Sequence, residues 1–255
     1  MVPMRPHPKT PKGKTVWREV KVGILTRLGK RLTRSRESVS HLLHRRLVAV
    51  LGPLEQFIPV LQLEAYRQSF DSAPQVIWIS DGGRGFWRVY RQCFAHCAIA
   101  VLDFYHAAGH LWRAATALFN HQAGQQAWFK RWRHALRHGQ HQTVLAMLTS
   151  LVNTDLFTGK DLTTLLQVQA YFQRHHAHIR YQHFERQQIP LGSGMVESAC
   201  KWLIQQRFKG VGMRWSEPGL KHLLILRVAW VNQRFDKLFP SVPKSSLKHP
   251  SHNTY

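Results

Sequence analysis

The chain has 255 residues, 44% of them hydrophobic, with nine Trp and a formal net charge of +23 from 36 Lys plus Arg against 13 Asp plus Glu. So apolar a composition excludes a disordered chain, and the length suffices for one core or one core with an insertion. No apolar run approaches the ~20 residues that span a bilayer, and the residues after Met1 form no signal-peptide apolar region, so neither a membrane span nor export is expected.

Residues 5–14, with three Pro and one Gly, are expected to be irregular. From 16 to 25 the sequence alternates, with Val16, Val20, Val22 and Ile24 on one side, which predicts a strand. Residues 39–51 fit strand or helix, their second half leaning to strand. Leu54, Phe57, Leu61 and Ala65 recur at helical spacing between Pro53 and Phe70, despite Pro59. The apolar run 75–80 ends at Asp81-Gly82-Gly83 and predicts a buried strand followed by a tight turn. Residues 84–95 suit a helix. Ala98–Leu102 predicts a second buried strand ending at Asp103, and a helix from about 106 to 119 follows.

From there to about 188 the pattern is helical only, rich in His, Gln, Trp and Arg. Two more helices are expected at 194–208 and 217–238, and a flexible basic tail at 240–255. Strands alternating with helices predict an α/β fold. The expected organisation is a core over 1–119, a helical insertion over 120–188, and a region over 189–239 that completes the core.

The charge is uneven. Residues 1–50 hold 13 basic and two acidic residues, 51–120 five of each, 121–188 eight against three, and 189–255 ten against three. A neutral middle between basic flanks points to a polyanionic partner, nucleic acid before a membrane surface. Three Cys (Cys93, Cys97, Cys200) make no disulfide framework and are expected as small buried hydrophobes of a reduced, cytoplasmic protein.

In so basic a chain the few acids stand out. Asp81 and Asp103 each sit where an apolar run stops, and Glu197 lies one turn into a helix after Gly192-Ser193-Gly194. Phosphodiester cleavage and transfer are served by two Mg²⁺ ions about 3.5–4 Å apart, held by carboxylates brought together from different elements. Strand ends and one crossing helix can supply them. Each acid also has a plainer use. Asp81 suits a turn, Glu197 a favourable charge near a helix start with Lys201 four residues on, and Asp103 a cap for the following helix. Asp103 and His106 are three apart, either as that cap or as a pair beside a metal.

His106 and His110 have a zinc-helix spacing, but Ala107 stands where that motif needs Glu, so they are expected to be structural or to face DNA. His175, His176, His178 and His183 are expected on a solvated basic face. The Lys209–Ser216 loop offers Lys209, Arg214 and Trp215 for phosphate contact and base stacking, or else returns Trp215 to the core.

Four motifs in order, Ile-Ser-Asp81-Gly, Leu-Asp103-Phe-Tyr-His106, Leu-Gly-Ser-Gly-Met-Val-Glu197-Ser-Ala-Cys-Lys201 and Lys209-Gly-Val-Gly-Met-Arg214-Trp215, resemble those of bacterial insertion-sequence DDE transposases, in particular the ISKra branch related to Mutator-like elements. The resemblance covers residue 1 to about 235. It implies a ribonuclease-H-like mixed sheet with an all-helical insertion before the final catalytic helix. It further implies Mg²⁺- (or Mn²⁺-) dependent DNA cleavage and strand transfer, with Asp81 and Glu197 as catalytic, metal-binding carboxylates and Asp103 and His106 as a signature beside the site. Transposon-end and target DNA, and a homo-oligomer, are the implied partners.

The family's first catalytic Asp belongs ahead of sequence like Val2-Pro3-Met4-Arg5, yet no Asp precedes Asp71. The expectation is therefore a truncated, impaired copy. The alternatives are a non-catalytic DNA-binding remnant and an RNA-binding protein.

Overall fold

The structure is a computed structural model that describes residues 1–5, 15–32, 34 and 38–239. The irregular segment expected at 5–14 falls, but for Arg5, outside the described residues, as does the tail at 240–255. The chain is a mixed α/β protein whose described strands pair two by two. It divides into two compact units, one comprising 1–27, 43–68 and 195 onward, the other 28–42 and 69–194.

In the first unit β1 (Val2–Met4) pairs antiparallel with β2 (Val16–Arg18), in the register Val2 to Arg18. β3 (Val20–Leu32), whose part from Leu28 on belongs to the second unit, pairs with β4 (Ser38–Leu51), whose part before Leu43 does too, so all of the ambiguous 39–51 segment is strand. The alternation read at 16–25 holds, with a break at Glu19 between β2 and β3. α1 (Leu54–Arg67) turns Leu54, Phe57, Leu61 and Ala65 inward, and Phe57 lies against Gly23, where an added Cβ would stand 3.1 Å from its ring.

The helical side of this unit is one run with a change of pitch. α8 (Gly194–Ala199) passes into π-helical turns at Cys200–Gln205 and then into α9 (Gln206–Phe208). α10 (Glu217–Val231) follows, its first turn capped by the Ser216 hydroxyl on Gly219 N–H. Val2, Met4, Val22, Leu47 and Leu51 meet Leu203, Ile204, Phe208, Leu220 and Leu224 in a single apolar cluster. Two polar ties cross it. Asn232 exchanges both amide bonds with the Leu47 backbone at 2.8 Å, and Arg234 forms a fork on the buried Glu64 carboxylate. Both satisfy groups that burial would otherwise leave at a cost of ~1–3 kcal/mol each.

The second unit is built on β5 (Val76–Ser80) and β6 (Ala98–Leu102), a parallel pair in the register Val76 to Ala98 through Ser80 to Leu102. The crossover runs through α2 (Arg84–Val89) and π-helical turns at Tyr90–Phe94, as parallel strands require a long connection. α3 (Phe104–Leu118) leaves β6 directly. It buries Phe104, Ala107, Ala108, Leu111, Ala114 and Ala115, a stripe of mostly small residues against which α4 (Gln122–Arg137) and α6 (Gly159–Arg174) pack. α5 (His141–Val152) and α7 (Tyr181–Arg186) complete the unit.

The helices read as an insertion thus share one apolar cluster with β6, α2 and α3, including Val101, Leu111, Leu136, Leu148, Leu165 and Phe184. No described helix is long and apolar enough to cross a membrane. The cysteines correct an expectation: Cys93 and Cys200 are half-buried and Cys97 is exposed, so none is a core residue.

Candidate functional site

The β5–β6 pair ends on one rung, Ser80 beside Leu102, so Asp81 and Asp103 leave neighbouring strands at the same, carboxyl end. The Asp103 N–H donates to the Ser80 carbonyl at 2.9 Å and holds the two exits side by side. This is where open α/β sheets place ligands, because the strand ends diverge into loops there.

Asp81 makes a turn of its own. Its Oδ1 accepts the Gly83 N–H at 3.0 Å, and its carbonyl accepts the Trp87 indole N–H. Gly82 must be glycine for a steric reason: a Cβ there would stand 1.9 Å from Cε2 of Tyr171 and 2.8 Å from its hydroxyl. The Tyr171 ring therefore lies directly on the turn that carries Asp81.

Asp103 is 1% exposed and its carboxylate is fully engaged. Oδ1 accepts the N–H groups of Tyr105 (2.7 Å) and His106 (3.1 Å), while Oδ2 accepts both the N–H and the hydroxyl of Ser193. The Phe104 N–H donates to the Leu191 carbonyl at 2.8 Å. The first three N–H groups of α3, which a helix leaves without partners, are all taken. Of the two uses open to Asp103, the cap is the one the structure builds, and it adds a strap: Leu191-Gly192-Ser193 is tied across the start of α3. Burial pushes the Asp103 carboxyl up, but the hydrogen bonds from Ser193 and His106 outweigh it and hold the group below the usual carboxylate range. His106 Nδ1 lies 3.4 Å from Asp103 Oδ1, an ion pair when the ring is protonated.

Below these acids runs a row of buried rings. His110 stacks on Tyr171 with centroids 3.7 Å apart, Tyr171 lies 5.2 Å from His175, and Trp87 packs on both His175 and His178 at 4.7 and 4.4 Å. This corrects the expected solvated face: His176 and His183 are exposed, but His175 is 2% exposed and His178 half-buried. Spacing carried the signal. Leu165, Val168, Tyr171, Phe172 and His175 recur every three or four residues, so His175 ends the buried stripe of α6. The Tyr171 hydroxyl, both ring nitrogens of His175 and Nδ1 of His110 and of His178 are buried without a hydrogen-bond partner among the described residues. So many unmet polar atoms in one place are unusual for a native core.

Burial and nearby positive charge set the titration of these rings. His110 (burial, then Arg113 and His106), His175 (burial, then His178, Arg174, His110 and Arg91) and His178 (burial, then His176 and Arg180) are each lowered to about 4. Burial also raises the Tyr171 hydroxyl, with Asp81 and Asp103 adding to the effect. For a histidine whose folded pKa lies below its unfolded value of about 6.5, the unfolded chain binds the proton first. Stability is then complete above about pH 6.5 and is lost as pH falls toward about 4. Three such rings are expected to cost on the order of several kcal/mol across that interval. Urea unfolding followed by Trp fluorescence at pH 8, 6, 5 and 4 checks this; a flat midpoint over that range contradicts it.

The remaining sequence candidates belong to the first unit. Glu197 is the fourth residue of α8 and exposed, just ahead of the π-helical turns, a feature often found at functional sites. Lys201, Lys209 and Arg214 are exposed, with Lys209 Nζ 5.7 Å from the centroid of the Trp17 ring. Trp215 returns to the core rather than standing out to stack on a base. Its indole donates to the Phe208 carbonyl at 3.0 Å and its ring meets Phe208 edge-on, while its backbone bonds to Pro3 and Arg5. Among the described residues no three His, Cys, Asp or Glu converge as a metal set.

Compared with known proteins, the chain matches no family, and no curated protein or solved structure is similar to it at a significant level.

Proposed function

We propose that this chain is a DNA-binding protein of the insertion-sequence DDE-transposase kind whose cleavage and strand-transfer chemistry is impaired. The observation that carries the reading is the pair of aspartates at the carboxyl ends of adjacent parallel strands, in a chain of net charge +23. The ribonuclease-H-like architecture is part of the proposal, supported by that parallel pair and by the long β3–β4 pairing. So are an oligomeric assembly on DNA and a place beside the nucleoid in the cytoplasm.

Mg²⁺ or Mn²⁺ is the metal such chemistry would use, with Asp81 and Glu197 as its proposed protein ligands. The residues at the strand ends do not fit a two-ion site, which needs three or four carboxylates. Asp103 is spent on four hydrogen bonds, and only Asp81 there keeps an oxygen with no hydrogen bond among the described residues. Binding without efficient cleavage is the consequence.

Fluorescence anisotropy with labelled duplex DNA tests it. Affinity is expected to fall about 10³-fold or more between 50 and 200 mM salt, as for a protein that neutralises six or more phosphates. Added Mg²⁺ or Mn²⁺ is expected to produce no nicking above background. Salt-independent or absent DNA binding overturns the reading. Metal-dependent nicking abolished by Glu197→Ala overturns the impairment. A preference for structured RNA over duplex DNA favours an RNA-binding protein instead.

A further inference from the structure

Beside the Asp81 turn lies a cleft of about 220 Å³ lined by Gly82, Arg84, Trp87, Arg91, Arg174 and His175. We propose that it is a phosphate-binding site, in which the three guanidinium groups and the buried imidazole of His175 receive one tetrahedral phosphate oxyanion.

Its parts are placed by two helices. Arg84, Trp87 and Arg91 follow one another at spacings of three and four along α2 and the π-helical turns after it, so they share one face. Arg174 and His175 end α6 and close the other side. Trp87 is 3% exposed and clamped between Tyr90, His175 and His178, so it shapes the floor without offering a face for a base to stack on. The three arginines are exposed, and among the described residues none of them is paired with a carboxylate.

The second observation is His175. It lines the cleft, is 2% exposed, and both its ring nitrogens lack a hydrogen-bond partner among the described residues. A buried imidazole with an unmet N–H, whose protonated form is disfavoured by burial first and then by His178, Arg174, His110 and Arg91, is a donor awaiting an acceptor of negative charge. Two features oppose an anion here. Asp81 precedes Gly82, and the C-terminal end of α6 presents about half a negative charge. Together they leave the three guanidinium charges in excess.

The volume decides the ligand's size. It is several times the ~30 Å³ share of a water, yet below the ~300 Å³ at which pockets begin to enclose whole small molecules. One phosphate with its waters fits that range better than a nucleotide held base and all. Guanidinium forks match phosphate oxygens in pairs, so three of them favour phosphate over a halide.

The phosphate comes either from a nucleic-acid backbone or from a free phosphorylated solute. The first source rests on the DNA-binding reading above; the site itself does not. The full chain is titrated with inorganic phosphate by calorimetry, and with a labelled duplex by anisotropy, beside the variants Arg84→Gln, Arg91→Gln, Arg174→Gln and their triple combination. The arginines are exposed, so these variants are expected to fold, which circular dichroism verifies. Arg131→Gln, on α4 and outside the cleft, is the charge control.

We expect about ten-fold weaker phosphate binding for each single change near His175 and no measurable binding in the triple variant, with the control unchanged. In NMR spectra of the same protein, phosphate is expected to shift the His175 ring signals and raise its titration midpoint. Loss of both phosphate and duplex binding in the triple variant supports a nucleic-acid source. Loss of phosphate binding alone supports the site with a small phosphorylated solute. Phosphate binding by a chain that binds no DNA keeps the site and removes the DNA-binding reading. No phosphate binding, or binding unaffected by the triple change and silent at His175, overturns the proposal.

Discussion

Replacing Asp103 with Ala is expected to lower the unfolding free energy by about 2–5 kcal/mol, the sum of a lost N-cap at ~1–2 kcal/mol and buried donors left without an acceptor at ~1–3 kcal/mol. Four donors depend on this one carboxylate: the N–H groups of Tyr105, His106 and Ser193, and the Ser193 hydroxyl. At 1% exposure, water cannot replace it without rearrangement. Ser193→Ala removes only one of the four bonds and is expected to cost about 1 kcal/mol. Asp103→Asn falls between them, because its amide can keep one oxygen acceptor while turning donors toward Ser193.

The same carboxylate sets a second pH window, below that of the histidines. Its folded pKa is depressed, so its contribution is present above its unfolded value of about 3.9 and is lost as pH falls through the lower folded value. Urea unfolding of the wild type and the three variants, read at Trp, measures the series. A loss under about 1 kcal/mol in Asp103→Ala would show that the cap and strap are not what holds the start of α3.

Gly82→Ala is expected to destabilise the second unit by about 2–4 kcal/mol, at or above the usual ~1–3 kcal/mol cost of overpacking. The added methyl would stand 1.9 Å from Tyr171 Cε2 and 2.7 Å from Cζ, so one of them must move. Tyr171 has little room. It is 7% exposed, stacked on His110 and edge-on to Phe172 at 5.6 Å. Displacing it moves His110 and disturbs the turn of Asp81 as well. The clash predicts strong coupling: in a Tyr171→Leu background, Gly82→Ala is expected to cost less than about 1 kcal/mol, because the ring it strikes is gone. Equal costs in both backgrounds would refute the steric account.

Some of this was legible in the sequence because its cause is local. The apolar runs before Asp81 and Asp103 announced β5 and β6, but only β6 is largely buried as expected; β5 is half-buried up to Ser80, so its position and not its burial was legible. Asp103 three residues ahead of His106 announced a helix start, because the cap geometry is fixed within one turn. Other residues were not legible, because their surroundings come from elsewhere in the chain. Trp215 in a Gly-rich loop suggested exposure, yet Phe208 and the Pro3–Arg5 segment hold it inward. The 39–51 segment became strand because β3 offers it a ladder, not because its residues prefer one. The cysteines, small and apolar, suit a core, yet Cys97 is exposed, and Cys200 only flanks the first unit's apolar cluster, half-buried.

By itself the sequence determined the charge of the chain, the positions of its main strands and helices, and the placing of its scarce acids at element boundaries. Composition and short-range periodicity fix those things without reference to distant residues. Only the tertiary structure decided what each acid and ring does. It put Asp103 and Ser193, 90 residues apart, into one hydrogen-bonded cap and so removed that carboxylate from service as a metal ligand. It also set Tyr171 on Gly82 and brought His175 into one cleft with Arg84, Arg91 and Arg174. Spacing along a chain specifies a face; the element packed against that face specifies whether a polar group there meets water, a partner or a cleft.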